Sequence, residues 1–133
     1  MIAIDLYEIR AFQVSTLPPE TWIEYDLLPW QRERNIPTMA YCPLAQGGSS
    51  LQKRMMNNPD VNKIAESHQV KPMQIALAWS IRNGDVLAIP KAVQEQHIYD
   101  NAAAAAIELN EEEIKILDRE FPPPRKKMPL GII

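Results

Sequence analysis

At 133 residues the chain is long enough for one domain with an ordinary buried core, and 46% apolar against 23% charged residues mark it as globular rather than a disordered tail. A net charge of −3 gives no reason to expect nucleic acid, which demands a basic surface. A single cysteine, Cys42, excludes an internal disulfide and fits a reducing compartment. No apolar run approaches the ~20 residues that span a bilayer, and neither end has the pattern of a signal segment, so a soluble, cytoplasmic protein without membrane contact is expected.

In chain order, Met1 to Tyr7 alternates Ile2, Ile4 and Leu6 on one side, which predicts a strand, and Pro18-Pro19 interrupts any regular element after it. Glu24 to Arg34 predicts a short amphipathic helix with Leu27, Leu28 and Trp30 as its apolar contacts and a start or kink at Pro29. Thr38 to Tyr41 is a short buried-type strand closed by Pro43. Gln46 to Met56 opens with loop chemistry, Gly47-Gly48-Ser49-Ser50, and carries no core periodicity, so it is expected to be a loop.

Asn58-Pro59 supplies an N-cap and a first-turn proline, and Val61, Ile64, Ala65 and His68 come after it at helical spacing. Pro72 opens another helix with Ile75, Ala78, Trp79 and Arg82 along one side and Asn83-Gly84 as its stop. Val86 to Ile89 predicts a buried strand of a parallel sheet, covered on both faces. A helix from about Gln94 to Ala105 is favoured by the alanine run Ala102 to Ala106. Asn110 and Glu113 form a capping box ahead of a last helix over 111–120, and Pro122-Pro123-Pro124-Arg125-Lys126-Lys127 predicts an extended, solvated tail over 122–133.

Strands alternating with helices indicate α/β crossover units. Within them Ile89-Pro90-Lys91 stands out. A lysine where a strand ends and a helix begins can meet a phosphate together with the free N–H groups of that helix. It is poorly placed for mere solubility.

The ordered set Ala40-Tyr41-Cys42-Pro43-Leu44, Ile64-Ala65 with His68, Gln74 to Trp79, Ile89-Pro90-Lys91, Asp100-Asn101, Leu109, Glu112 and Leu117-Asp118 resembles the C-terminal part of an aldo-keto reductase over residues 23–121. The first 22 residues do not visibly join it. Ile23 to Trp30 is most similar to bacterial reductases of methylglyoxal and other small aldehydes. The resemblance implies an incomplete (β/α)8 TIM barrel, with the last two strand-helix units and the closing C-terminal helix, that binds NADPH, with NADH as the alternative, without a Rossmann fingerprint. It implies that Tyr41 stacks on nicotinamide and that Cys42, Leu44 and Gln46 border the loop over the pyrophosphate. It places Lys91 at the phosphates, Ala92, Val93 and His97 near the adenosine 2′-phosphate, and Asn101 at the adenine.

Two substitutions depart from the family pattern. Ala92 stands where serine is usual and His97 where arginine is usual, which removes a hydroxyl donor and a permanent bidentate contact. A weaker preference for NADPH over NADH is expected.

The family's Asp, Tyr, Lys and His tetrad matches nothing here, so no catalytic residue is assigned, and no metal ligand either. A full barrel needs ~250 residues, so a truncated reductase, inactive alone, is the expected reading. Small aldehydes or ketones would be substrates of an intact enzyme, and open barrel edges would invite self-association or a complementary half-barrel. The alternative is a non-enzymatic nucleotide-binding or interaction module. Cys42 is read as a small packed residue because no histidine or acid is recognisably paired with it. His68 and Trp79 are read as structural.

Overall fold

The computed structural model describes residues 12–15, 25, 27–44 and 50–122. The expected strand at 2–7, Gln46 and the tail beyond Pro122 lie outside them. The element order is β1 (Phe12–Ser15), α1 (Leu27–Arg32), β2 (Thr38–Tyr41), α2 (Ser50–Met56), α3 (Pro59–Ser67), α4 (Pro72–Ile81), β3 (Val86–Ile89), α5 (Glu95–Ala103) with a 3-10 turn at Ala104–Ala106, and α6 (Glu111–Glu120). The three strands form one parallel sheet in the order β1-β2-β3. The described sheet thus has three strands, within the two or three that the sequence allows, and the strand beside β2 is Phe12–Ser15.

The core lies on one side of this sheet. Helix α4 is its centre: Pro72 sits in the first turn, where a missing N–H costs nothing, and every residue from Gln74 to Ser80 is buried. The sequence suggested one apolar side, but a helix apolar all round belongs inside, and neighbours cover it on both flanks. Ile75 and Leu77 are nearly inaccessible and pack with Val61 and Ile64 of α3 and Leu117 of α6. Burial of each such side chain is worth about 1.5–3 kcal/mol. Trp79 packs in the same cluster, with its Nε1 donating to Asp118 Oδ1 at 2.8 Å.

The helix starts match the sequence closely. Asn58 Oδ1 accepts from the N–H groups of Asp60 and Val61 at 2.9 and 3.1 Å. Asn110 Oδ1 accepts from Glu112 and Glu113, and Glu113 returns a carboxylate to the Asn110 N–H at 2.9 Å, completing the capping box. Glu113 also meets His68 Nε2 at 2.9 Å, which fastens the end of α3 to the start of α6 and makes His68 structural. Gly84 has φ +74°, the left-handed turn expected after α4.

Three local expectations are corrected. Ser50–Met56 is a helix, not a loop, with Met55 buried in the core, and seven residues are too few for a helical period to show. Trp30 is 42% exposed, with the Arg34 guanidinium 4.5 Å over its ring, while Leu28 and Gln31 face inward. Finally, β3 is covered on one face only. Ala88 packs against the core, but Leu87 and Ile89 are 56% and 40% exposed, because the helices lie on one side of the sheet and alternate residues point to the other. Among the described residues no helix is long and apolar enough to cross a membrane.

Candidate cofactor site

In register, Ser15 stands opposite Tyr41, and Tyr41 opposite Ile89. All three strands run the same way, so the segments after Tyr41 and Ile89 leave from one edge of the sheet. Ligands of parallel α/β structures gather at this carboxyl edge, where loops are free of the sheet's own hydrogen bonding. The Tyr41 and Ile89 segments, 48 positions apart by residue number (89 − 41), are therefore neighbours.

The first segment turns sharply. Cys42 adopts φ +47°, a left-handed conformation that costs a residue with a Cβ of order 1–3 kcal/mol and persists only where the surroundings enforce it. Pro43 and Leu44, both buried, hold the turn from below. Leu44 belongs to the hydrophobic core at 7% exposure, so what it presents to a ligand is backbone rather than side chain. The Cys42 thiol is half-buried and free.

In the second segment Pro90 ends β3, and Lys91 is exposed, with no ion pair or hydrogen bond among the described residues. Ala92 is half-buried and Val93 is 84% exposed. Gln94 stands at the N-cap of helix α5, its carbonyl accepting from His97 and Ile98 and its side chain capping nothing. The first N–H groups of α5 thus keep no side-chain acceptor, an arrangement that suits an anion. His97 is exposed and Asn101 half-buried, one turn apart on a shared side of α5.

Nothing in the local sequence pattern announces what holds α5 in place. Lys71 Nζ bonds Asp100 Oδ2 at 2.6 Å, Gln74 Nε2 donates to the Asp100 carbonyl at 3.0 Å, and Gln74 Oε1 accepts from the Lys71 N–H at 2.9 Å. This clamp from the start of α4 holds the residue next to Asn101. The Lys71 hydrogen bond, seconded by one from Gln96 Nε2 at 3.0 Å, holds the Asp100 carboxyl below its usual range. The only nearby signal is Gln74 at the third position of a helix opened by Pro72.

At the opposite edge, a cleft of about 330 Å³ is lined by Arg32, Asn35, Ile36, Pro37, Gly84 and Asp85. It contains the Arg32–Asp85 ion pair and lies before β2 and β3, the end of such sheets that supplies stability rather than chemistry. No three His, Cys, Asp or Glu side chains among the described residues converge on a possible metal position.

The model of the Aldo/keto reductase family matches residues 4–120. That match begins well before residue 23 and takes in most of the N-terminal segment, which carries no visible resemblance by inspection. Methylglyoxal reductase YeaE of Escherichia coli (strain K12) is 43% identical over 111 residues, covering 84% of this chain and 39% of that protein. An aldo/keto reductase from Klebsiella pneumoniae, solved in complex with NADP and acetate, superposes with a TM-score of 0.87 at 43% identity, over 92% of this chain and 43% of the other. An aldo-keto reductase of the same organism in complex with NADPH gives a TM-score of 0.85 at 44% identity, over 91% and 42%. The chain thus spans about two fifths of the relatives it matches, and its sheet is a three-strand sector of their (β/α)8 barrel. The extent of the family match and the agreement of the fold establish that this chain belongs to the aldo/keto reductase family.

Proposed function

We propose that the chain carries the cofactor side of an NADP(H)-dependent carbonyl reductase acting on small aldehydes or ketones. The observation that carries this reading is the juxtaposition of Tyr41 and Ile89 in one register, which sets the turn at Cys42 beside the start of the segment leading to α5. The residues fit a phosphate-bearing ligand: Lys91 has no competing partner among the described residues, and the first turn of α5 has no side-chain cap. Lys91 and those N–H groups would hold the phosphates, Ala92, Val93 and His97 would border the 2′-phosphate, and Asn101 would reach the adenine. Tyr41, Cys42, the Leu44 backbone and Gln46 would border the nicotinamide and pyrophosphate. The bound cofactor supplies the hydride. The proton donor lies outside these assigned positions, so turnover requires the rest of the barrel.

Quenching of NADPH fluorescence on titration with the purified chain tests the binding half. Lys91→Ala removes a charged hydrogen bond worth about 1.5–3 kcal/mol, so NADPH should bind roughly tenfold or more weakly. Unchanged binding in that variant would remove Lys91 from the phosphate site. The same titration with NADH is expected to give an affinity closer to that of NADPH than arginine and serine at 97 and 92 would give. His97→Arg should widen the gap.

A further inference from the structure

Helix α5 has nine residues and buries none of them, and only Asp100 and Asn101 are even half-buried among the described residues. Apolar packing begins just past its end, at Ala104, which is 1% exposed and belongs to the core cluster. A helix anchored by packing at its far end alone is free to swing and to turn about its axis, which an apolar face would ordinarily prevent. In α5 polar contacts take that place. Those that Lys71 and Gln74 send across from the start of α4 meet at one residue, Asp100.

The two contacts divide the task. Gln74 Nε2 donates to the Asp100 carbonyl, which fixes where along its axis α5 lies. Lys71 Nζ takes Asp100 Oδ2, which fixes the rotation of the helix, while Gln96 Nε2 from the preceding turn takes Oδ1 and keeps the carboxylate from turning away. An exposed ion pair by itself contributes little, and the Lys71 side chain is 56% exposed. The Asp100 side chain, however, is only 18% exposed, and the Gln74 amide beside it is buried. Were α5 to move away, that amide would lose its described acceptor, and leaving a buried donor unmet costs more than the bond itself contributes. Successive helix residues point about 100° apart, so fixing Asp100 also fixes the directions of Asn101 beside it and of His97 one turn before.

We infer that the Lys71–Gln74–Asp100 clamp sets the affinity of the site for the adenosine half of the cofactor, with Lys71 and Gln74 as positioning residues that act through α5. This role rests on the cofactor reading proposed above and adds to it which half of the dinucleotide the clamp serves. The nicotinamide half would border the Cys42 turn, which Leu44 anchors in the core without help from α5.

Lys71→Met keeps the aliphatic stem and removes the charge, and Lys71→Arg restores the charge. The full chain and both variants are titrated with NADPH and with adenosine 2′,5′-bisphosphate, which is the adenosine half alone, and amide hydrogen exchange is measured without ligand. Without ligand, Lys71→Met should exchange the amides of Glu95–Ala103 roughly fivefold or more faster, while those of the buried Val61 and Ile75 keep their rates. It should bind NADPH and the bisphosphate roughly fivefold or more weakly, by the same factor for both because the effect lies in the half they share, and Lys71→Arg should return to within about twofold of the parent chain. A larger loss for NADPH than for the bisphosphate would mark a general loosening of the site and overturn the positioning role. Unchanged binding of the bisphosphate to Lys71→Met would overturn it too. A parent chain that binds neither ligand would instead refute the cofactor reading itself, and the clamp's role with it.

Discussion

Asp100 ties the candidate site to the core, and the environment of its carboxylate makes that tie sensitive to acid. Its pKa lies below the ordinary 3.8, chiefly because Lys71 donates to it. A carboxylate depressed in the folded chain stabilises the fold at pH values above its unfolded value, and that contribution is lost as pH falls through the folded value. Lys71→Ala should therefore move the Asp100 titration, monitored by NMR of its side-chain carbonyl, up toward 3.8 and reduce the acid sensitivity of α5. An unshifted titration would mean that Lys71 is not the cause. The position of Lys91 stands out in the sequence because a lysine where a strand gives way to a helix has few dull explanations, and its phosphate contact is the proposal that the Lys91→Ala titration tests. Lys71 and Gln74 were not, since a clamp between residues 26 to 29 positions apart leaves no local pattern.

Among the elements, the helix starts carry their own instructions. Asn58 caps α3 with two N–H contacts and also donates from Nδ2 to Glu120 at 3.1 Å, so it joins the first turn of α3 to the end of α6. Asn58→Ala should lower stability by about 1–2 kcal/mol in urea denaturation, because a lost N-cap costs ~0.5–2 kcal/mol and the Glu120 contact adds to it. No change in midpoint would show that the cap is replaceable by solvent. The strand Thr38–Tyr41 and the helices opening at Pro59, Pro72 and Glu111 were read at their observed starts because prolines and asparagines act within one turn. Helix α2 escaped notice because its seven residues span barely two turns, and strand β1 because four residues hold too little pattern to stand out.

For the molecule as a whole, the decisive quantity is how much of a barrel these residues supply. Three described strands line up one carboxyl edge but do not close a ring of eight. The purified 133-residue chain, mixed with NADPH and methylglyoxal, is accordingly expected to show no hydride transfer above the uncatalysed rate in a single-turnover absorbance assay. Measurable turnover would place a proton donor within the chain. The sequence by itself determined the α/β class, the starts of the main helices, strands β2 and β3, and the family, because caps, prolines and short-range spacing act locally and survive in any piece of a fold. Only the tertiary structure decided that Tyr41 and Ile89 share a register, that Leu44 turns into the core, that Lys71 and Gln74 hold α5, and that Leu87 and Ile89 of β3 stay exposed. Each depends on which distant segments meet, and hydrophobic residues specify that they are to be covered without specifying by what.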